Sequence, residues 1–146
     1  MTIKFELNNK NDEKIEFNGR FNKNKFNKSK INKGNITKIT IGKNVTSLEN
    51  EVFMDLKQLN EVNFKNSILT RYGYLTFKNC INLNKIIDSS KLERLNNSTF
   101  RNTGFTTYTC PASLKHMNNY NFKDSIKLKE VNLKNLETLG IENFKN

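Results

Sequence analysis

The chain of 146 residues is 35% hydrophobic and 27% charged, with a formal net charge of +11. That length suits one domain able to bury roughly two-thirds of its unfolded surface, and no apolar run approaches the ~20 residues that span a bilayer as a helix. Two cysteines, Cys80 and Cys110, are too few for a disulfide framework and lack metal-ligand spacing, so buried free thiols and a reducing compartment are expected.

The first residues, MTIKFELNNK, carry no charged segment followed by an apolar stretch of secretory type. The expected address is cytoplasmic or nuclear, or the cell surface if the chain is a processed or trimmed form. Ile3, Phe5 and Leu7 alternate and read as a strand, followed by the turn-prone Asn8-Asn9-Lys10-Asn11-Asp12. Ile15 and Phe17 lie 24 residues before Ile39 and Ile41, as the strand of a degenerate repeat would, with Phe21 in an intermediate apolar column beside Val45. Residues 1–35 are therefore expected to form a capping hairpin and a degenerate repeat.

Residues 20–43 hold Arg20, Lys23, Lys25, Lys28, Lys30, Lys33, Lys38 and Lys43 with no acid between them, and Phe21 and Phe26 interleaved. Two readings stand for this run. It binds nucleic acid or an acidic membrane through phosphate contacts, or it is a solvated face in a chain biased toward Lys and Asn.

From residue 36 onward the sequence repeats. Phe53, Phe77, Phe100, Phe122 and Phe144 are separated by 24, 23, 22 and 22 residues, and other apolar columns move with them. Leu48, Tyr72, Leu95, Met117 and Leu139 stand five residues before each phenylalanine. Val45, Ile68, Leu92, Leu114 and Leu136 form an intermediate column. Leu59, Leu83, Phe105 and Leu128 follow the phenylalanines, then Val62, Ile86, Tyr108 and Val131, then Phe64, Asp88, Cys110 and Leu133. The end of each unit alternates, so it reads as a short strand with its apolar residues inward. The rest has apolar spacings of three to five, which suit turns and a short helical or 3-10 segment. Stacked units would pair their strands into one parallel sheet and stack their phenylalanines into a continuous core. About five units of 22–24 residues fill residues 36–146.

Three residues stand out against this pattern. Asp88 takes an inward slot, where an ionised carboxylate is costly unless paired. Either the strand slips so that Ile87 turns inward, which is the reading we favour, or Asp88 accepts backbone hydrogen bonds. Pro111 follows the inward Tyr108 and Cys110 and should face outward or end its strand. His116, the one histidine, lies between the core columns of Leu114 and Met117 and should point outward, with no nucleophile or acid near it in sequence. Without a phosphate loop, a paired-carboxylate motif or a His/Cys cluster, neither enzymatic activity nor a cofactor or metal is expected.

From residue 36 to the last residue the pattern resembles the BspA-like leucine-rich repeats, whose units run like L-x-x-I-x-I-P-x-S-V-x-x-I-G-x-x-A-F-x-x-C. The matching stretches are Ile39-Thr-Ile-Gly-Lys-Asn-Val45-Thr-Ser-Leu48 with Val52-Phe53, Phe77-Lys-Asn-Cys80 with Ile81-Asn-Leu83, and Thr109-Cys-Pro-Ala-Ser-Leu114. The family's Ala before Phe is replaced by Val52, Thr76, Thr99, Asn121 and Asn143. The resemblance implies a β-rich α/β solenoid, with a parallel sheet on the concave side and short helical, 3-10 or irregular segments on the other. It implies protein interaction without catalysis, on microbial or protist surfaces or inside the cell.

The expected binding strip is the outward side of the repeat strands: Lys38 and Thr40, Glu61 and Asn63, Lys85 and Ile87, Thr107 and Thr109, Glu130 and Asn132. The expected function is a noncatalytic module that binds a protein partner there. The alternative is polyanion binding by Arg20, Lys23, Lys25, Lys28, Lys30 and Lys33, and a weaker one is a cell-surface adhesion protein. The chain ends two residues after Phe144. Either a partner or second copy covers that end by self-association, or the chain is a piece of something longer.

Overall fold

A computed structural model describes residues 3–7, 13–15 and 19–146, with only the backbone for 13–15. The expected turn at residues 8–12 and the position of Phe17 lie outside the described residues. The repeats wind as a solenoid of about five turns with little helix, and two parallel strand ladders run along it.

The first ladder comes from the alternating end of each unit. Strands β4 (Ile36–Ile41), β6 (Glu61–Asn63) and β7 (Lys85–Ile87) pair in parallel, aligning Ile39 with Val62 and Ile86. Strands β9 (Thr107–Thr109) and β11 (Glu130–Asn132) continue it, aligning Tyr108 with Val131. The sheet is not continuous: β9–β11 is separate from β4–β6–β7. The break coincides with a change of period, because 24 residues separate Val62 from Ile86 and only 22 separate Ile86 from Tyr108.

At the N-terminal end, β1 (Ile3–Leu7) lies antiparallel between β2 (Glu13–Ile15) and β4. Ile15 therefore pairs with Ile3 and is not in a parallel strand beside Ile39. A short connection allows a hairpin here, whereas a parallel neighbour needs a crossover of a dozen residues or more.

The second ladder uses the column just before each phenylalanine turn. Strand β3 (Gly19–Phe21) pairs in parallel with β5 (Val45–Leu48), and β8 (Arg94–Leu95), β10 (His116–Met117) and β12 (Thr138–Leu139) form a second group. Arg71 joins this group through a bridge to Arg94. Phe21 aligns with Leu48, so the intermediate-column assignment beside Val45 is corrected to one column further on. Ile68 is corrected too: it is 53% exposed and Leu69 is buried in its place. Leu69 keeps the three-residue spacing to Tyr72 that Val45 keeps to Leu48.

The turns that carry the phenylalanines are irregular, and among the described residues helix is confined to α1 (Lys23–Lys28) and a 3-10 turn at Lys33–Asn35. Asn22 caps α1 by accepting from the Lys25 N–H at 2.9 Å, and Phe26 anchors it in the core. In the turns, left-handed residues stand two before each phenylalanine (Glu51, Leu75, Ser98, Tyr120, Glu142) and two after (Asp55, Asn79, Asn102, Asp124). This sets alternate N–H groups toward the following unit. Phe53 donates to the Thr76 carbonyl, Phe77 to Thr99 and Phe122 to Asn143, at 3.1, 2.9 and 2.9 Å.

Inside, the rings of Phe53, Phe77, Phe100, Phe122 and Phe144 stack in succession at centroid spacings of 5.7, 5.7, 5.6 and 6.1 Å. Phe5, Phe21 and Phe26 close the N-terminal end of this column against Phe53. The other end is open: Ile126, Leu139, Ile141 and Phe144 are all exposed.

Candidate functional site

The outward residues of the first ladder are accessible and aligned by strand pairing. Lys38, Glu61 and Lys85 form one row, and Thr40, Asn63 and Ile87 the next. Thr107 stands beside Glu130 and Thr109 beside Asn132 across the break. The first row is braced internally, since Glu61 lies 3.2 Å from Lys38 and 3.0 Å from Lys85. Partial burial raises the Glu61 carboxyl, but hydrogen bonds and charge from Lys85 and Lys38 outweigh this and hold it below its ordinary value. Beyond the break, Thr107, Thr109, Glu130 and Asn132 are exposed.

Ile87 is 36% exposed on this same side, so the favoured slip of Asp88 is corrected. Asp88 keeps the inward slot, half-buried, and its carboxylate accepts from the Tyr72 hydroxyl at 2.7 Å and the Tyr108 hydroxyl at 2.8 Å. Its partners are side chains from two columns, which alternation within one strand does not reveal. Burial lifts its carboxyl to about 6, and the two tyrosine hydrogen bonds pull the other way. Burial and the adjacent Asp88 charge push both tyrosines well above their ordinary value.

The six basic residues of the alternative reading are dispersed around α1. Arg20 pairs with Glu49 at 3.4 Å and Lys23 with Glu51 at 3.1 Å. Lys25 donates to the Arg20 carbonyl. Lys33 contacts Asn27 and sits over the Phe26 ring, where burial and then Lys23 lower its ammonium. Lys28 and Lys30 are exposed. Phe21 and Phe26, the interleaved rings, are buried, so they offer no stacking platform.

His116 contacts the Thr138 hydroxyl at 2.9 Å on the outward side of β10, while Met117 beside it is buried. Both cysteines are buried free thiols, pushed up by burial to about 12 at Cys80 and about 11 at Cys110. Pro111 lies just past the end of β9. Among the described residues no group of three or more His, Cys, Asp or Glu is placed to hold a metal, and no helix is long and apolar enough to cross a membrane.

The replaced alanines have a clear local job. Thr76, Thr99, Asn121 and Asn143 are buried, and each donates to the carbonyl three residues before it, at 2.7–3.0 Å. Asn121 and Asn143 also accept from the backbone of the preceding unit, from Thr99 and Asn121 respectively. They join successive units rather than present a binding group.

A family model described as BspA type leucine rich repeat region matches residues 20–146 in six copies. Two solved structures are similar. A leucine-rich repeat protein from T. pallidum is 12% identical, covering 84% of this chain and 78% of that one, with a TM-score of 0.53. One from Bacteroides ovatus ATCC 8483 is 16% identical, with a TM-score of 0.49; the match covers 72% of this chain and spans only 38% of that protein. No curated protein matches the chain.

Proposed function

Since the chain belongs to the BspA type leucine-rich-repeat family, we propose that it is a noncatalytic module that binds a protein partner on the outward, concave side of its first ladder. One observation carries this reading: Ile87 stands exposed in the middle of a polar strip, at the break between β7 and β9. An apolar anchor inside a polar rim is the usual make-up of a protein-binding patch. Asn63, Lys85, Thr109 and Asn132 supply that rim from four successive units. The strip has mixed charge, with Glu61 and Glu130 among the lysines, which suits a polar protein surface better than a phosphate backbone.

Affinity capture from the source cell with the wild-type chain, Ile87→Asp and Glu130→Lys tests it. The partner retained by the wild type should be lost at least tenfold in Ile87→Asp and weakened in Glu130→Lys, with unchanged circular dichroism. Equal retention by all three chains overturns the assignment of this face.

A further inference from the structure

The second ladder carries a basic groove that the reading above does not use. Its outward positions are the residues just before Leu48, Tyr72, Leu95 and Met117, and parallel pairing sets Arg71 beside Arg94 and Arg94 beside His116. Neighbouring strands lie about 4.8 Å apart. Two open hollows of about 700 and 530 Å³ lie on this face and share Thr70 and Arg71 in their walls. The second is lined by Arg71, Lys91, Arg94, Lys115 and His116 against one carboxylate, Glu93.

Arginine use makes this cluster stand out. Only four of the 25 basic residues are arginine: Arg20, Arg71, Arg94 and Arg101. Arg101 is held by Asp124 through two nitrogens at 2.8 Å, and Arg20 is paired with Glu49. Arg71 and Arg94 have no carboxylate partner among the described residues, and the Arg94 guanidinium donates to the Asn118 side-chain oxygen at 3.2 Å. Like charges directly opposite on adjacent strands are unfavourable. In a chain whose basic residues are mostly lysine, the parallel bridge sets Arg71 and Arg94 side by side here, and neither is neutralised by a carboxylate among the described residues.

We propose that this groove binds sulfate or phosphate esters carried on a linear anionic polysaccharide, with Arg71 and Arg94 as the oxyanion receptors. The planar guanidinium fork matches two oxygens of such a group at once. Lys91, exposed on the groove wall, and Lys115, shared with Glu137 at 3.1 Å, add charge to either side. Thr70 and Ser90 bring hydroxyls suited to sugar hydroxyls. The groove is open along its length and crosses successive units, which fits a chain rather than an enclosed small molecule. Its one exposed ring is Tyr74, in the first hollow. Single-stranded nucleic acid is held by several successive aromatic faces, which this groove lacks.

Calorimetric titration at two salt concentrations tests the assignment. The probes are a heparin-derived hexasaccharide, its desulfated form, a phosphate-ester oligosaccharide from phosphomannan, and a single-stranded oligonucleotide of matched charge. At least one ester oligosaccharide should bind and weaken with salt, while the desulfated form should not bind. Arg71→Glu with Arg94→Glu, and the milder pair Arg71→Gln with Arg94→Gln, should each reduce affinity tenfold or more without shifting thermal unfolding. Lys28→Glu with Lys30→Glu makes the same charge change as the double glutamate variant and should leave affinity within about twofold. The proposal is overturned if neither ester binds, if the Lys28/Lys30 control weakens binding equally, or if the oligonucleotide binds as tightly through the same arginines. Should the glutamate pair unfold the chain, undiminished binding in the glutamine pair overturns it as well.

Discussion

Replacing Asp88 with Asn should stabilise the protein at neutral pH and leave it little changed in acid. Folding moves the Asp88 carboxyl from an ordinary value near 3.8 to about 6, because burial disfavours the charge more than the two tyrosine hydroxyls favour it. The folded state thus holds the proton more tightly than the unfolded one. The contribution of Asp88 is fully favourable below about pH 4, declines as pH rises, and is lost above about pH 6. A difference of about two pH units corresponds to about 3 kcal/mol. The tyrosines and Cys110 facing Asp88 stay neutral in this window, because each is pushed above its ordinary value. Asparagine keeps the shape and one acceptor, and its amide can donate to the second hydroxyl. Urea unfolding of both chains at pH 4, 6 and 8 measures the effect, and the other carboxylates cancel in the difference. Asp88→Asn should match the wild type near pH 4 and exceed it by roughly 2–3 kcal/mol at pH 8. A difference that is constant with pH, or a mutant less stable at pH 8, refutes the account.

The phenylalanine column offers a graded test. Phe100→Ala removes a fully buried ring stacked between Phe77 and Phe122 and should cost about 3–5 kcal/mol. Phe144→Ala removes one that is 40% exposed and stacked on one side, so it should cost about 1–2 kcal/mol; equal losses in thermal unfolding would contradict the stacking order. Cys80, buried and held near 12, should resist iodoacetamide at pH 8 in the folded chain and react only on unfolding. Mass spectrometry of the labelled protein reads this directly, and fast labelling of folded Cys80 would rule out its place in the core.

The periodic parts of this fold were legible in the sequence because they obey a period. The phenylalanine column, the inward Val62, Ile86 and Tyr108, and the buried cysteines all follow from spacing alone. Ile68 failed because two apolar residues are adjacent and the unit is one residue longer there, so either could hold the slot. Asp88 failed for a different reason. Its partners, Tyr72 and Tyr108, come from 16 residues before and 20 after it, in different columns of neighbouring units. The threonines and asparagines before the last four phenylalanines of the column read as departures from a family pattern, yet they fix the turn by bonding three residues back. Of the candidate surfaces, the aligned rows of the first ladder follow from strand alternation. The pairing of Arg71 with Arg94 does not, since no feature of either unit marks the second ladder as a sheet.

The turn segments have a further property. Their inter-unit hydrogen bonds run one way, each N–H pointing to the next unit and each carbonyl to the previous one. The peptide dipoles of these segments therefore add along the solenoid axis, much as they do in a helix. On this turn face one end presents donors and the other acceptors, while the connections leading into the strands run the opposite way, Asn60 donating to the Thr37 carbonyl, Lys85 to Asn60 and Lys115 to Glu93. A two-fold contact between identical ends would set donors against donors. Any stacking that continues this ladder must join unlike ends, and such head-to-tail contacts build rings or filaments rather than closed symmetric pairs.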